Sequence, residues 1–351
     1  MTALMRHRLF WPIVALLALI AINTIARPQF ILVTLRDGEL YGALIDILRN
    51  SAPLMLVALG MTIVIATRGI DLSVGAIMAV SGAVALTIID GSPDPGNLGT
   101  VAVALLVALA VSLVLGAWNG FLVAVVGIQP IIATLVLMLA GRGMALLITE
   151  GFITTVNSQP YEFLATGYLI TLPFALLIWV IAAVVIALLE RRTALGMLTE
   201  AVGINPEASR LAGVRARGIV FGAYAASGLL AGIAGIIYSS NIRAADANAA
   251  GLFIELYAIL AVVLGGTSLM GGKFTIAGTV IGVLTIQTLE ATILFLGVPS
   301  AQSPVFFALV VIVVVLVQSP RLHRWARSAL SSARSRNRSD ADADARTGVA
   351  S

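Results

Sequence analysis

The sequence predicts an all-α polytopic membrane protein of about ten transmembrane helices, with the N- and C-termini both cytoplasmic. Three observations predict it. Of 351 residues, 60% are hydrophobic and 11% are charged, against about 25% charged in an ordinary soluble domain. The apolar residues fall in long unbroken runs, and a helix of about 20 such residues crosses a hydrocarbon core of about 30 Å. The basic residues gather on alternate connections between those runs. A soluble globular enzyme is excluded, because so little charge could not solvate the outside of the chain. Disorder over most of the length is excluded too. An outer-membrane barrel would show short segments alternating apolar with polar residues.

The first run, 9–26, follows Arg6, His7 and Arg8 and reads as a signal anchor, with a cleaved leader as the alternative. Runs 51–67 and 72–89 are separated only by Arg68-Gly69-Ile70-Asp71. The turn-forming stretch 90–97 leads to run 98–126, which is interrupted near Gly116-Ala117-Trp118-Asn119-Gly120. Run 131–148 follows Gln129-Pro130, and a polar stretch, 149–167, precedes 168–189. The longest internal polar segment is 190–217. The remaining spans are 218–238, 252–267, 274–297 and 304–317.

Orientation follows from the placement of Arg and Lys. A cytoplasmic N-terminus and ten crossings put on the inner side Arg6 and Arg8, then Arg191, Arg192, Arg210, Arg215 and Arg217, then Lys273 and the Arg cluster that begins at Arg321. The outer loops, 28–50, 90–97, 149–167, 239–251 and 298–303, hold only Arg36, Arg49 and Arg243. The transmembrane body is therefore assigned to 1–321. The stretch 322–351, rich in Ser, Ala, Arg and Asp, has little to bury and is expected to be a disordered cytoplasmic tail. Its Arg cluster also suits anionic lipid.

The chain has no cysteine, and its two histidines, His7 and His323, lie near opposite ends. Disulfides, thiolate nucleophiles and a His-based core site are excluded. Polar residues in the spans carry more information, because polar groups in hydrocarbon need partners or water. Asp71 and Ser73 lie between Gly69 and Gly75. Either they cap the helix that follows a short inner turn, or the helix is broken within the membrane and its freed groups line a path. In both cases Arg68 is close enough in sequence to pair with Asp71.

Asn119, Gln129 and Thr134 form a second polar group. Amides suit sugar hydroxyls because they both donate and accept; an interhelical bond is the bland reading of Asn119. Trp118 suits either sugar stacking or the membrane interface. Pro130 bends or begins a helix. Arg142, between Gly141 and Gly143, should point inward or snorkel. The glycine-rich stretch before Lys273 lacks the phosphate-loop spacing, so an ATP-driven mechanism needs its ATPase on another subunit. Glycines four apart (116/120, 218/222, 228/232, 278/282) allow close helix packing.

Within 190–217, the stretch 201–214 reads as one short amphipathic helix. Asn205 caps it, Pro206 suits its first turn and Gly213 its end. Ala208, Leu211 and Ala212 form a small apolar stripe that needs a partner; an inert loop against the bilayer is the alternative.

At these motifs the chain resembles the inner-membrane permease subunits of bacterial ABC importers for monosaccharides, the ribose/xylose/galactose group. The resemblance runs from about residue 9 to 321. It rests on Gly69-Ile70-Asp71-Leu72-Ser73-Val74-Gly75, Trp118-Asn119-Gly120, Gln129-Pro130, Gly141-Arg142-Gly143, Thr193-Ala194-Leu195-Gly196, Ala201-Val202-Gly203 and Gly271-Gly272. Three further stretches resemble most the permeases of galactofuranose importers: Asp37-Gly38-Glu39-Leu40-Tyr41-Gly42, Ile45-Asp46-Ile47-Leu48 and Ala245-Asp246-Ala247-Asn248-Ala249-Ala250-Gly251-Leu252. Arg68 departs from the group, which often has Gly there.

The resemblance implies a passive, multi-pass subunit of the bacterial inner membrane that is not itself an enzyme. It implies a second permease subunit, identical or homologous, with the sugar path at their interface. A periplasmic sugar-binding protein would deliver the sugar, and a cytoplasmic ATPase subunit would carry ATP and Mg, so that this chain binds no cofactor directly. No nucleic-acid partner is expected. Candidates along the substrate path are Asp71, Ser73, Asn119, Gln129, Thr134, Arg142, Asp246 and Asn248. Candidates for ATPase coupling are Gly203, Asn205, Glu207, Ala208, Arg210, Leu211 and Gly213. An ion-coupled secondary sugar transporter is the alternative, with Asp71, Glu255 and Glu290 as its relay candidates. An intramembrane enzyme lacks any motif in its favour.

Overall fold

The computed structural model describes residues 9–297 together with Val305, Ala308 and Ile312. The chain divides into two compact units, Met1–Thr292 and Ile293–Ser351.

Helix α1 (Phe10–Ala26) leads to a hairpin, β1 (Thr34–Arg36) and β2 (Glu39–Tyr41), and to α2 (Ala43–Asn50). Thus the first loop predicted to face outward has structure of its own. A bend of 47° at Ser51 joins α2 to α3 (Ala52–Ala66). Then come α4 (Val74–Asp90), α5 (Leu98–Phe121) and, after a π turn at Leu122–Val126, α6 (Pro130–Ile148). Pro130 begins α6 rather than bending it, at the position where a missing N–H costs nothing. The next connection holds β3 (Thr154–Thr155), α7 (Gln159–Thr166), β4 (Tyr168–Leu169) and β5 (Leu172–Pro173).

Helix α8 is Phe174–Arg192. The span predicted from residue 168 therefore starts six residues later than expected. Ile170 and Thr171 both take positive φ, 49° and 76°, and close the β4–β5 hairpin instead. Beyond α8 lie α9 (Ala194–Ile204), α10 (Pro206–Leu211), α11 (Ala216–Ile242), β6 (Ala244–Ala245), α12 (Ile254–Leu264) and α13 (Ile276–Phe295).

By length and composition, five helices among the described residues suffice to cross a membrane: Leu98–Val126, α6, α8, α11 and α13. The bent pair α2–α3 makes a sixth. Helices α1 and α4 have 17 residues each. The run predicted at 252–267 folds as the 11-residue α12, about 16 Å at 1.5 Å per residue. The predicted span 304–317 lies outside the described residues except for Val305, Ala308 and Ile312. The expected tail, 322–351, lies outside them altogether.

The centre of the bundle is α11, which packs on α3, α4 and α5; α4 packs in turn on α5 and α6, and α12 on α3. Small residues make these approaches possible. Gly116 and Gly228 face each other backbone to backbone, Gly60 sits on Ser227, and Gly278 faces Gly265. Without a hydrophobic drive between helices in lipid, such close packing is what holds them together. The 218/222 glycine pair does not share this role, having open space where a side chain would project. Burial follows the same order. Some 56% of the most apolar window of α11 is buried, against 22% for α8.

Candidate functional site

The connection 67–73 between α3 and α4 is a tight turn. The carbonyl of Val64 accepts from the amides of both Thr67 and Gly69, each at 3.0 Å. Arg68 takes a φ of 66°, the left-handed region that side chains seldom occupy. Asp71 follows and is wholly buried. One of its carboxylate oxygens, Oδ1, accepts from the Ser73 amide at 3.1 Å and the Ser73 hydroxyl at 2.6 Å. The other, Oδ2, accepts from the Ser227 hydroxyl of α11 at 2.9 Å. The Asn119 side-chain amide donates to Ser73 Oγ at 2.8 Å. Thr134 Oγ1 donates to the carbonyl of Pro130 at 2.9 Å and lies 3.3 Å from that of Ile70.

Four predicted residues, Asp71, Ser73, Asn119 and Thr134, thus meet around one turn, drawn from the α3–α4 connection, α5 and α6. Asp71 does take the backbone amide at the start of α4, as a cap does. Its bond to Ser227 places it eleven residues, about 16 Å, along α11 from Ala216. The turn therefore lies within the length of that long apolar helix and not beyond its end. Asn119 Oδ1 is buried and has no partner of its own among the described residues.

Gln129 does not join the group. Its side chain is exposed, and its backbone carbonyl accepts from Ile132 and Ala133 at the start of α6. Trp118 is half exposed and stacks on Phe121 at 6.0 Å, an arrangement suited to a membrane interface. The pairing that sequence proximity allows between Arg68 and Asp71 is absent among the described residues. The left-handed backbone of Arg68 accompanies a side chain that donates from Nε to the Met270 carbonyl at 3.0 Å and from Nη2 to that of Ile204 at 2.5 Å.

A second polar group forms around the connection between β6 and α12. Arg142 on α6 points inward, as its setting predicts, and Nη1 donates to the carbonyls of Ala247 at 2.9 Å and Ala250 at 2.5 Å. Asp246 Oδ1 accepts from the amides of Asn248 and Ala249 at 2.9 and 3.1 Å, while the Asn248 side chain is exposed. Next to this connection, Gly251 meets Gly75 backbone to backbone, and Glu255 is buried in the first turn of α12. Helix α4 lies along α11 with Gly235 on Met78 and Gly82 on Ser239. Gly75 is therefore level with the middle of α11, and the connection folds back into the bundle. Irregular backbone at that depth is tolerated only against protein or water.

Residues 194–214 form two helices, not the single helix expected over 201–214. Asn205 interrupts α9 with φ −156° and caps α10 instead, its side chain accepting from the Ala208 amide at 3.0 Å. Pro206 opens α10, and Gly213, with φ +85°, stands beyond its end. Gly203 is buried against the Ala66 carbonyl and the Gly272 amide, which bond each other at 3.0 Å; a side chain at 203 would strike both. The opposite face is open. Ala208, Leu211 and Ala212 are exposed, Leu211 to 84%. Glu207 and Arg210 form an exposed ion pair at 3.1 Å.

Ser227 was not singled out by its sequence setting, although a hydroxyl in the middle of an apolar helix, beside the noted Gly228, was the available signal. Between α3, α8, α9 and α11 lies an apolar cavity of about 440 Å³, lined by Ile63, Leu189, Leu195, Leu229 and Phe274 and flanked by Glu190. None of the predicted path residues lines it.

The family described as branched-chain amino acid transport system / permease component matches residues 43–316, more than half of the chain. The galactofuranose transporter permease protein of Escherichia coli (strain K12) is 49% identical over 323 residues, 90% of this chain and 92% of its own. The fructose import permease protein of Bifidobacterium longum is 44% identical over 91% of this chain and 90% of its own. The ribose import permease protein of Escherichia coli (strain K12) is 37% identical over 88% and 93%. No solved structure matches the chain.

Proposed function

The chain belongs to the family of branched-chain amino acid transport system permease components, and from that membership we propose that it is the membrane permease subunit of an ATP-driven monosaccharide importer in the bacterial inner membrane. Galactofuranose is the first sugar to test, because the relative with 49% identity is named for it. In this reading a periplasmic binding protein delivers the sugar to the outer loops. A second permease subunit, identical or homologous, completes the path. ATP and Mg are held by a separate cytoplasmic ATPase.

The observation that carries the reading is α10: a capped six-residue helix whose apolar residues Ala208 and Leu211 are exposed among the described residues. A groove on the ATPase would cover Ala208 and Leu211. Closure of the ATPase would move α10, then Gly203 on α9, and through the Ala66–Gly272 bond the end of α3 and the approach to α13. Asp71 and its partners lie a few residues further on. Coupling of this kind is a rigid-body shift passed between packed elements.

Co-expression with candidate ATPase subunits tests the claim. Glu207→Trp and Ala208→Trp, both at exposed helical positions, should leave the permease melting temperature in detergent unchanged but reduce ATPase co-purification by about tenfold, equivalent to ~1.4 kcal/mol of association. If both variants assemble and transport like the parent, α10 is not the coupling element.

A further inference from the structure

We propose that Arg68 is the positioning residue that ties the buried turn holding Asp71 to the coupling segment, so that movement of α10 is delivered to that turn through the Arg68 guanidinium. The inference rests on the reading of α10 as the ATPase contact.

Three pieces of chain meet at Arg68. The first is the end of α3, where Arg68 sits with φ 66° and its amide bonds the Ile65 carbonyl at 2.9 Å. The second is Ile204, the last residue of α9, whose carbonyl accepts from Arg68 Nη2. The third is the turn before α13, where the Met270 carbonyl accepts from Nε. Both acceptors suit a guanidinium. Ile204 offers a helix-terminal carbonyl, where cations are favoured, and the planar fork of Arg can hold two acceptors at once, which an ammonium does less well. Gly271, with φ +80°, leaves room for the Arg68 stem, since a Cβ there would strike Arg68 Cγ.

The placement gives these bonds a consequence. Ile204 directly precedes Asn205, the cap at which α9 hands over to α10. On its other side, Arg68 is separated from Asp71 only by Gly69 and Ile70. A tilt of α10 thus reaches Asp71 through one side chain and a short stretch of backbone. Packing of Gly203 on Ala66 already holds α9 against α3. The guanidinium adds a link to the far side of Ala66, where the chain turns toward Asp71.

The absence of native cysteine allows a direct test. Ile70→Cys is introduced into the permease, which is reconstituted with its ATPase in liposomes. The rate of modification by a maleimide is measured without nucleotide and with ATP plus vanadate. Vanadate trapping in the parent is the control for the underlying reading: if no nucleotide is trapped, the ATPase assignment itself fails. With trapping present, the two states should differ in labelling rate by about fivefold, the lower end of measured coupling between sites. Arg68→Gly accepts the left-handed backbone and should still fold and trap nucleotide, yet the difference should shrink to less than about twofold. Arg68→Lys, with a single cationic head, should restore part of it. An undiminished difference in Arg68→Gly overturns the proposal. So does a parent that traps nucleotide with no change at residue 70, or an Arg68→Gly protein that fails to fold, which would make Arg68 a stabilising residue only.

Discussion

Two interruptions of the helical bundle, at 67–73 and at 205–213, solve the same backbone problem in opposite ways. At the first, Asp71 is buried and both of its carboxylate oxygens are occupied by Ser73 and Ser227. At the second, Asn205 caps α10 with a comparable bond, yet Leu211 is exposed to 84%. The first turn is complete within this chain. The second is complete only in its backbone, and its side chains need something else to cover them. Stability and function should therefore separate: loss of the buried Asp71 acceptor at the first turn should destabilise the protein, and substitutions of the exposed side chains at the second should leave it folded but uncoupled.

The largest effect is expected where the two regions touch. Gly203→Leu forces a side chain against Ala66 and Gly272 and should destabilise the permease by about 3 kcal/mol through overpacking and a broken backbone bond. A melting temperature in detergent like that of the parent would show that α9 is not held against α3. Asp71→Ala removes the acceptor for Ser73 and Ser227 and should cost about 2 kcal/mol, since it leaves buried donors without their partner. Asp71→Asn, which keeps the shape, should cost less; equal losses would mean that the carboxylate is not what orders the turn. Asn119→Leu should cost within about 1 kcal/mol, because interhelical bonds in membranes are modest and the change also removes a buried oxygen without a partner. Leu211→Asp should change stability by no more than about 0.5 kcal/mol, the range of ordinary surface substitutions, while abolishing ATPase co-purification. If it unfolds the chain instead, the contrast between the two turns is lost.

Most of the architecture was legible because lipid imposes a simple rule. Long apolar runs must be helices, and α5, α6 and α11 follow their runs closely. The departures have local causes. The start of α8 was displaced by a hairpin closed at Ile170 and Thr171, residues whose types give no warning of positive φ. The division of 201–214 into two helices turned on Asn205, which reads equally well as the cap of one helix or the break between two. At the candidate site, Asp71, Ser73, Asn119 and Thr134 stood out as polar residues among apolar ones, and they come together. Arg68 stood out as well, but its partners, Ile204 and Met270, are backbone carbonyls distant in sequence, and no residue type announces them. Arg142 could be read as pointing inward, though not as holding the connection 246–253.

The central claim is that this permease moves sugar only when another subunit hydrolyses ATP. Its most direct test is uptake into liposomes of radiolabelled galactose, whose equilibrium in water includes the furanose form, and of fructose and ribose. The account predicts uptake by the chain reconstituted with its ATPase, second permease subunit and binding protein in the presence of ATP, and none by the chain alone under a proton or sodium gradient. Uptake by the isolated chain driven by such a gradient would contradict it.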